Sequence, residues 1–105
     1  MTRARLPDRR EADTFEVMHN GVSFSVTVGR YHDGRAAEVF VDGLKVGTDM
    51  REAVRDAALA VSIALQHGCP LDTLTRAVAR DSEGRPLSVV GVVVDAIHEG
   101  SADVR

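Results

Sequence analysis

After a short charged start, hydrophobic and polar residues alternate with a period of two. Phe15 and Val17 flank Glu16, and Asn20-Gly21 follows, the dipeptide that suits a two-residue type I′ turn. Val22, Phe24, Val26 and Val28 then alternate with Ser23, Ser25 and Thr27, so one face of this strand is apolar. Gly29 ends the regular part or marks a bulge. Asp33-Gly34 predicts a second hairpin turn, and the third strand runs from Ala36 to Asp42. Ala37, Val39 and Val41 share one side of it. Glu38 and Phe40 share the other, which leaves a large aromatic on a wet face. Two successive hairpins predict a three-stranded antiparallel meander.

The period then changes to 3.6. Gly43 to Gly47 forms a loop, Thr48 or Asp49 caps a helix, and Asp49 with Glu52 has capping-box spacing. The helix runs from Met50 to His67 and stops at Gly68. Ala53, Val54, Ala57, Val61, Ala64 and Leu65 form its apolar stripe, yet between Ala57 and Leu65 only Ser62 is polar. A helix that is apolar nearly all round is buried on more than one side. Later helices or a second subunit should therefore cover its outer surface. Cys69-Pro70 opens a second helix, Leu71 to Arg80, with Leu71, Leu74, Ala77 and Val78 on its buried edge. A polar turn spans 81–86. The last element, Leu87 to His98, is rich in valine, but its spacing of Leu87, Val90, Val94 and Ile97 predicts a helix, with Gly91 costing it roughly 1 kcal/mol. The fold class is α+β: a three-stranded antiparallel meander packed against a long apolar helix plus two shorter helices.

Length and charge narrow the picture. The chain has 105 residues, which suits one core. Residues 1–12 read as a flexible basic arm, 13–99 as one domain and 100–105 as a loose tail. The net charge is −3, and beyond the arm acidic residues outnumber basic ones. An acidic body argues against nucleic acid as a ligand. No run approaches the ~18 apolar residues of a membrane span, and no signal-peptide pattern is present, so a cytoplasmic chain is expected.

Candidate chemistry is sparse. The glycine loop makes Gly43, Lys45, Gly47 and Thr48 candidate nucleotide- or anion-binding residues, because N–H groups at a helix start can hold phosphate. The loop lacks the Gly-Lys-Ser/Thr ending of a phosphate-binding loop. His67 and Cys69 are the close pair of soft metal ligands, and two are too few for a zinc site, so no metal is expected. An enzyme would need His19, His32, His67 and Cys69 to converge.

The run from Val61 to Leu74, reading Val-Ser-Ile-Ala-Leu-Gln-His-Gly-Cys-Pro-Leu-Asp-Thr-Leu, resembles a helix–turn–helix of the TSCPD domain family, the C-terminal module of adenosylcobalamin-dependent (class II) ribonucleotide reductases. Val26 to Val28, Glu38 to Val41, the Gly43–Asp49 loop and Asp95-Ala96-Ile97 fall in the matching order. The name-giving Thr-Ser-Cys-Pro-Asp motif falls on Gly91 to Asp95, of which only Asp95 remains. The resemblance implies a stand-alone, non-catalytic accessory or interaction module connected with ribonucleotide reduction. Its expected partners are a second copy of the chain (a homodimer), a ribonucleotide reductase subunit, or both. It implies no cofactor bound by this chain, with adenosylcobalamin entering only through an associated reductase. Phe40, Leu59 and Ile63 are the expected interface residues. The alternative is a small nucleotide- or phosphate-binding module using the Gly43–Gly47 loop.

Overall fold

A computed structural model describes residues 2–6, 11–43 and 49–103. Strands β1 (Ala12–His19), β2 (Val22–Arg30) and β3 (Ala36–Asp42) form one antiparallel sheet in the order β1-β2-β3. Asn20 (φ 51°) and Gly21 (φ 78°) supply the two left-handed positions of the first turn. In the second turn the Gly34 N–H donates to the Tyr31 carbonyl at 2.9 Å and the Tyr31 N–H to the Arg35 carbonyl at 3.0 Å. His32 and Asp33 are therefore central, with Gly34 (φ 91°) in the left-handed position after them. The bulge falls between Gly29 and Arg30.

Three helices follow: α1 (Asp49–Gln66), α2 (Leu71–Ala77) and α3 (Val89–Asp103). At the end of α1 the Gly68 N–H donates to the Leu65 carbonyl at 3.1 Å and the Cys69 N–H to the Ala64 carbonyl at 2.9 Å. With Gly68 at φ 90°, this is a Schellman stop. The core lies between the apolar face of the sheet and the helices. Val17, Phe24, Val26, Val28 and Val39 meet Val54 and Leu65 of α1 and Val89, Val93 and Ile97 of α3. No helix among the described residues is long and apolar enough to cross a membrane.

Three readings of the helices change. The buried stripe of α1 is Val54, Ala58, Ser62, Leu65 and Gln66, whereas Ala53 is exposed and Ala57, Val61 and Ala64 are half-buried. The helix is thus rotated so that two of its polar residues, Ser62 and Gln66, face inward. Helix α2 ends at Ala77, which is exposed, and Arg80 instead bridges to Pro86 across a turn. That turn repeats the second hairpin's pattern: Gly84 N–H donates to the Asp81 carbonyl at 3.0 Å and Asp81 N–H to the Arg85 carbonyl at 2.9 Å. Helix α3 begins two residues later than expected and continues to Asp103; Leu87 is exposed, and the buried positions include Val89, Val93, Val94 and Ile97.

Gly91 in α3 has a steric reason. A Cβ built there would meet the Pro86 Cβ at 2.8 Å, so the missing side chain lets the 78–86 segment close onto α3. Replacing Gly91 with alanine adds roughly 1 kcal/mol of helix propensity, but prying the segment away costs more. Gly91→Ala is expected to destabilise the domain by about 1–2 kcal/mol, as overpacking does, measured by urea unfolding; a stabilised variant would refute the close contact.

Candidate functional site

Strand β3 is the edge of the sheet on which α1 packs. An edge strand leaves N–H and C=O groups unpaired unless something covers them. Here side chains of α1 do so. The Val39 N–H donates to the Ser62 hydroxyl oxygen at 2.8 Å, and that hydroxyl lies 2.9 Å from the Ala58 carbonyl and 3.3 Å from the Val39 carbonyl as its acceptors. The Gln66 amide donates to the Ala37 carbonyl at 2.9 Å. Ser62 and Gln66 are 6% and 3% exposed. Arg3 donates from Nε to the Gln66 side-chain oxygen. The Ala4 N–H donates to the Gln66 carbonyl at 2.6 Å, and the Tyr31 hydroxyl to the Ala4 carbonyl at 3.0 Å. Residues 3 and 4, within the stretch read as a flexible basic arm, are exposed and bonded to Gln66 and Tyr31.

These bonds fix the rotation of α1. Ser62 and Gln66 aim at the β3 edge, and Val54, Ala58 and Leu65 lie to the core side of that line. Leu59 and Ile63 lie to the opposite side by helical spacing, toward the outer face of the sheet from which Phe40 projects. The exposures agree: Phe40 57%, Leu59 56% and Ile63 40%. Ser62 bonds at Val39, the strand neighbour of Phe40. Nothing among the described residues buries Phe40, Leu59 or Ile63.

The other candidates separate. Lys45, Gly47 and Thr48 lie outside the described residues. Gly43 has φ 142°, and its N–H donates to the Asp42 carboxylate at 2.9 Å. A Cβ at Gly43 would meet the Ser23 carbonyl oxygen at 2.8 Å, which accounts for glycine there by packing. His19 sits beside the first turn, with Nε2 3.2 Å from the Asn20 amide nitrogen. His32 is in the second turn. His67 Nδ1 lies 3.0 Å from the Ile63 carbonyl oxygen, and Cys69 Sγ 3.7 Å from the Pro70 carbonyl. No group of three or more His, Cys, Asp or Glu among the described residues could hold a metal ion.

An open groove of about 980 Å³ separates the second hairpin turn from the α1–α2 turn, and Cys69 and His98 line it. Both arginines of its walls are paired. Arg30 Nε is 2.8 Å from Asp13, and Arg35 Nε is 2.7 Å from Asp33.

The polar centre of the second half is Arg80 with Asp95. Two bonds join them, at 2.8 and 2.6 Å, and Arg80 also donates to the Thr75 and Gly84 carbonyls at 3.1 and 3.0 Å. One guanidinium thereby fastens α3 to the end of α2 and to the 81–85 turn. The bonds from Arg80 hold the Asp95 carboxyl below the ordinary carboxylate range. Neither Ser62, Gln66 nor Arg80 stood out in the chain, because each serves a partner far from it in sequence.

A family model described as the TSCPD domain matches residues 2–99. The chain is 40% identical over 70 residues (67% of this chain, 6% of the relative) to a protein named vitamin B12-dependent ribonucleotide reductase from Bradyrhizobium diazoefficiens. It is 35% identical over 75 residues (71% and 6%) to one of the same name from Agrobacterium fabrum. A third, from Rhodopirellula baltica, is 36% identical over 72 residues (69% and 7%). The chain therefore spans 6 to 7% of the length of these relatives. No solved structure matches it.

Two outcomes follow from the bonded groups. Ser62→Ala leaves the Val39 N–H buried without its acceptor and is expected to cost about 1–3 kcal/mol in urea unfolding, more than an exposed Ser→Ala change. Asp95 has a lowered folded pKa, so its contribution is present above the unfolded value of about 3.9 and is lost as pH falls through the folded value. Asp95→Asn should lower the melting temperature at pH 7 and flatten the fall in stability below about pH 4. Parallel acid limbs in the two proteins would contradict this.

Proposed function

The chain belongs to the TSCPD domain family, and from that premise we propose that it is a non-catalytic interaction module that docks on a vitamin B12-dependent ribonucleotide reductase. The observation that carries the reading is the Phe40, Leu59 and Ile63 surface beside the β3–α1 seam. Exposed large apolar side chains on two elements bonded to each other are the kind of surface that a protein interface covers. The bonds of Ser62 and Gln66 hold their elements at a fixed angle, so the surface is presented without further ordering. The relatives support the choice of partner: their name ties the family to a reductase, and each is many times longer than this module.

The groove does not suit a corrinoid. Its two arginines are engaged with Asp13 and Asp33, and its apolar lining is limited to Ala36, Leu65, Pro70 and Leu71. On this reading adenosylcobalamin belongs to the reductase partner.

Binding is tested with the full chain and a purified vitamin B12-dependent ribonucleotide reductase by calorimetry. The wild type should bind, and Leu59→Glu and Ile63→Glu should each weaken binding by about tenfold or more while leaving the unfolding midpoint nearly unchanged, since both side chains are exposed. Absence of binding by the wild type, or full binding by both variants, would refute the reading. Heat from nucleotides alone would favour the phosphate-binding alternative.

A further inference from the structure

The two edges of the sheet are treated differently. The β3 edge is closed by Ser62 and Gln66. The β1 edge has no such cover among the described residues. His19 faces Val22 across the two-residue turn, and that pair exchanges both backbone hydrogen bonds. The bonding alternates from there. Val17, Phe15 and Asp13 turn their backbone groups to β2, while Met18, Glu16, Thr14 and Ala12 turn theirs outward. The same alternation places the Val39 and Ala37 groups on the outer side of β3, where α1 meets them. Thr14, Glu16 and Met18 are exposed, and Phe15, on the core face, is only half-buried. The strand carries no proline and no lysine, the residues that commonly block an open edge.

We propose that β1 pairs antiparallel with β1 of a second copy, giving a continuous six-stranded sheet about a two-fold axis beside Phe15. Side-chain complementarity selects both occupant and register. An axis at Glu16 sets the two Glu16 carboxylates face to face, a like-charge pair that disfavours it. An axis at Val17 runs the pairing off the strand into the Asn20 turn. An axis at Phe15 sets Glu16 against Thr14 of the other copy and Ala12 against Met18, all within β1, with up to about eight backbone hydrogen bonds. Its central pair is Phe15 with its own mate at a non-hydrogen-bonded position, where side chains approach closest, and this covers the exposed part of the ring. The inference is independent of the reductase reading, because it uses the opposite edge of the sheet.

Sedimentation velocity of the full chain across 1–100 micromolar, on the order of common weak-dimer affinities, provides the first test; the wild type should run as a dimer at the upper end. In Glu16→Pro the lost N–H points away from β2, so the hairpin is retained and dimerisation should weaken by roughly 30-fold, the effect of one lost bond in each copy. In a Cys69→Ser background, Phe15→Cys should cross-link to itself under mild oxidation, and Glu16→Cys and Val17→Cys should not. The cross-link decides the matter even if the proline variant fails to fold. A monomeric wild type, a dimer dissolved by Leu59→Glu, or cross-linking through position 16 or 17 in place of 15 would overturn the proposal.

Discussion

The unmet backbone groups of the β3 edge are the constraint on which this fold turns. An exposed Val39 N–H could bond to water; one pressed against a helix cannot, and needs a partner from that helix. Ser62 and Gln66 are that partner. Their cost is a polar stripe on the inward side of α1, and their effect is to set the helix rotation to within one residue. Val54, Ala58 and Leu65 join the core, and Leu59 and Ile63 are left outside. Gln66 carries the constraint further, since its side chain and carbonyl also receive Arg3 and Ala4. The first residues, the sheet edge and the end of α1 meet in one amide.

The second half of the chain is held by a different device. Helix α2 has seven residues and contributes few buried side chains, so hydrophobic contact alone fixes it weakly. Arg80 compensates by bonding Asp95, Thr75 and Gly84 together. Gly91 lets the same segment approach α3 closely. Asp95 is thus accounted for by architecture. The residues that stand at 91–94 fit that role too, since Val93 and Val94 are fully buried in the core.

The local elements were legible wherever a residue's own backbone needs determined the outcome. Asn20-Gly21, Gly34 and Gly68 each occupy a left-handed position, and each marked its turn or helix end correctly. Alternation placed Phe24, Val26 and Val28 inward and Phe40 outward. The rotation of α1 was not legible. Periodicity treats polar residues as solvent-facing, and by that rule Ser62 points out and Ala53 in. The demand that reverses the rule comes from Val39, on another element, and leaves no trace in the spacing of α1. Arg80 was hidden for a similar reason: it read as the end of α2, and its partner Asp95 lies fifteen residues on. The surface residues Phe40, Leu59 and Ile63 were found because excess apolar character is a property of the element itself. Their relation to one another became visible only through the Ser62 and Gln66 bonds.

The lowered carboxyls of the domain are explained by the bonds of the fold. Asp33 and Asp81 are held below the ordinary range first by backbone N–H groups of their own turns, from Arg35 and Arg85 respectively, and Asp95 first by Arg80. A carboxyl that must deliver or receive a proton near neutrality needs the opposite shift, produced by burial or by a neighbouring negative charge. These three are fastened in the charged form instead, each closing a turn or joining two elements. Their bonds keep loops rigid, and rigid loops keep the apolar seam and the open strand in fixed positions. On the docking reading proposed above, the energy of recognition comes from covering Phe40, Leu59 and Ile63, the large apolar side chains that the fold leaves exposed beside β3 and on α1.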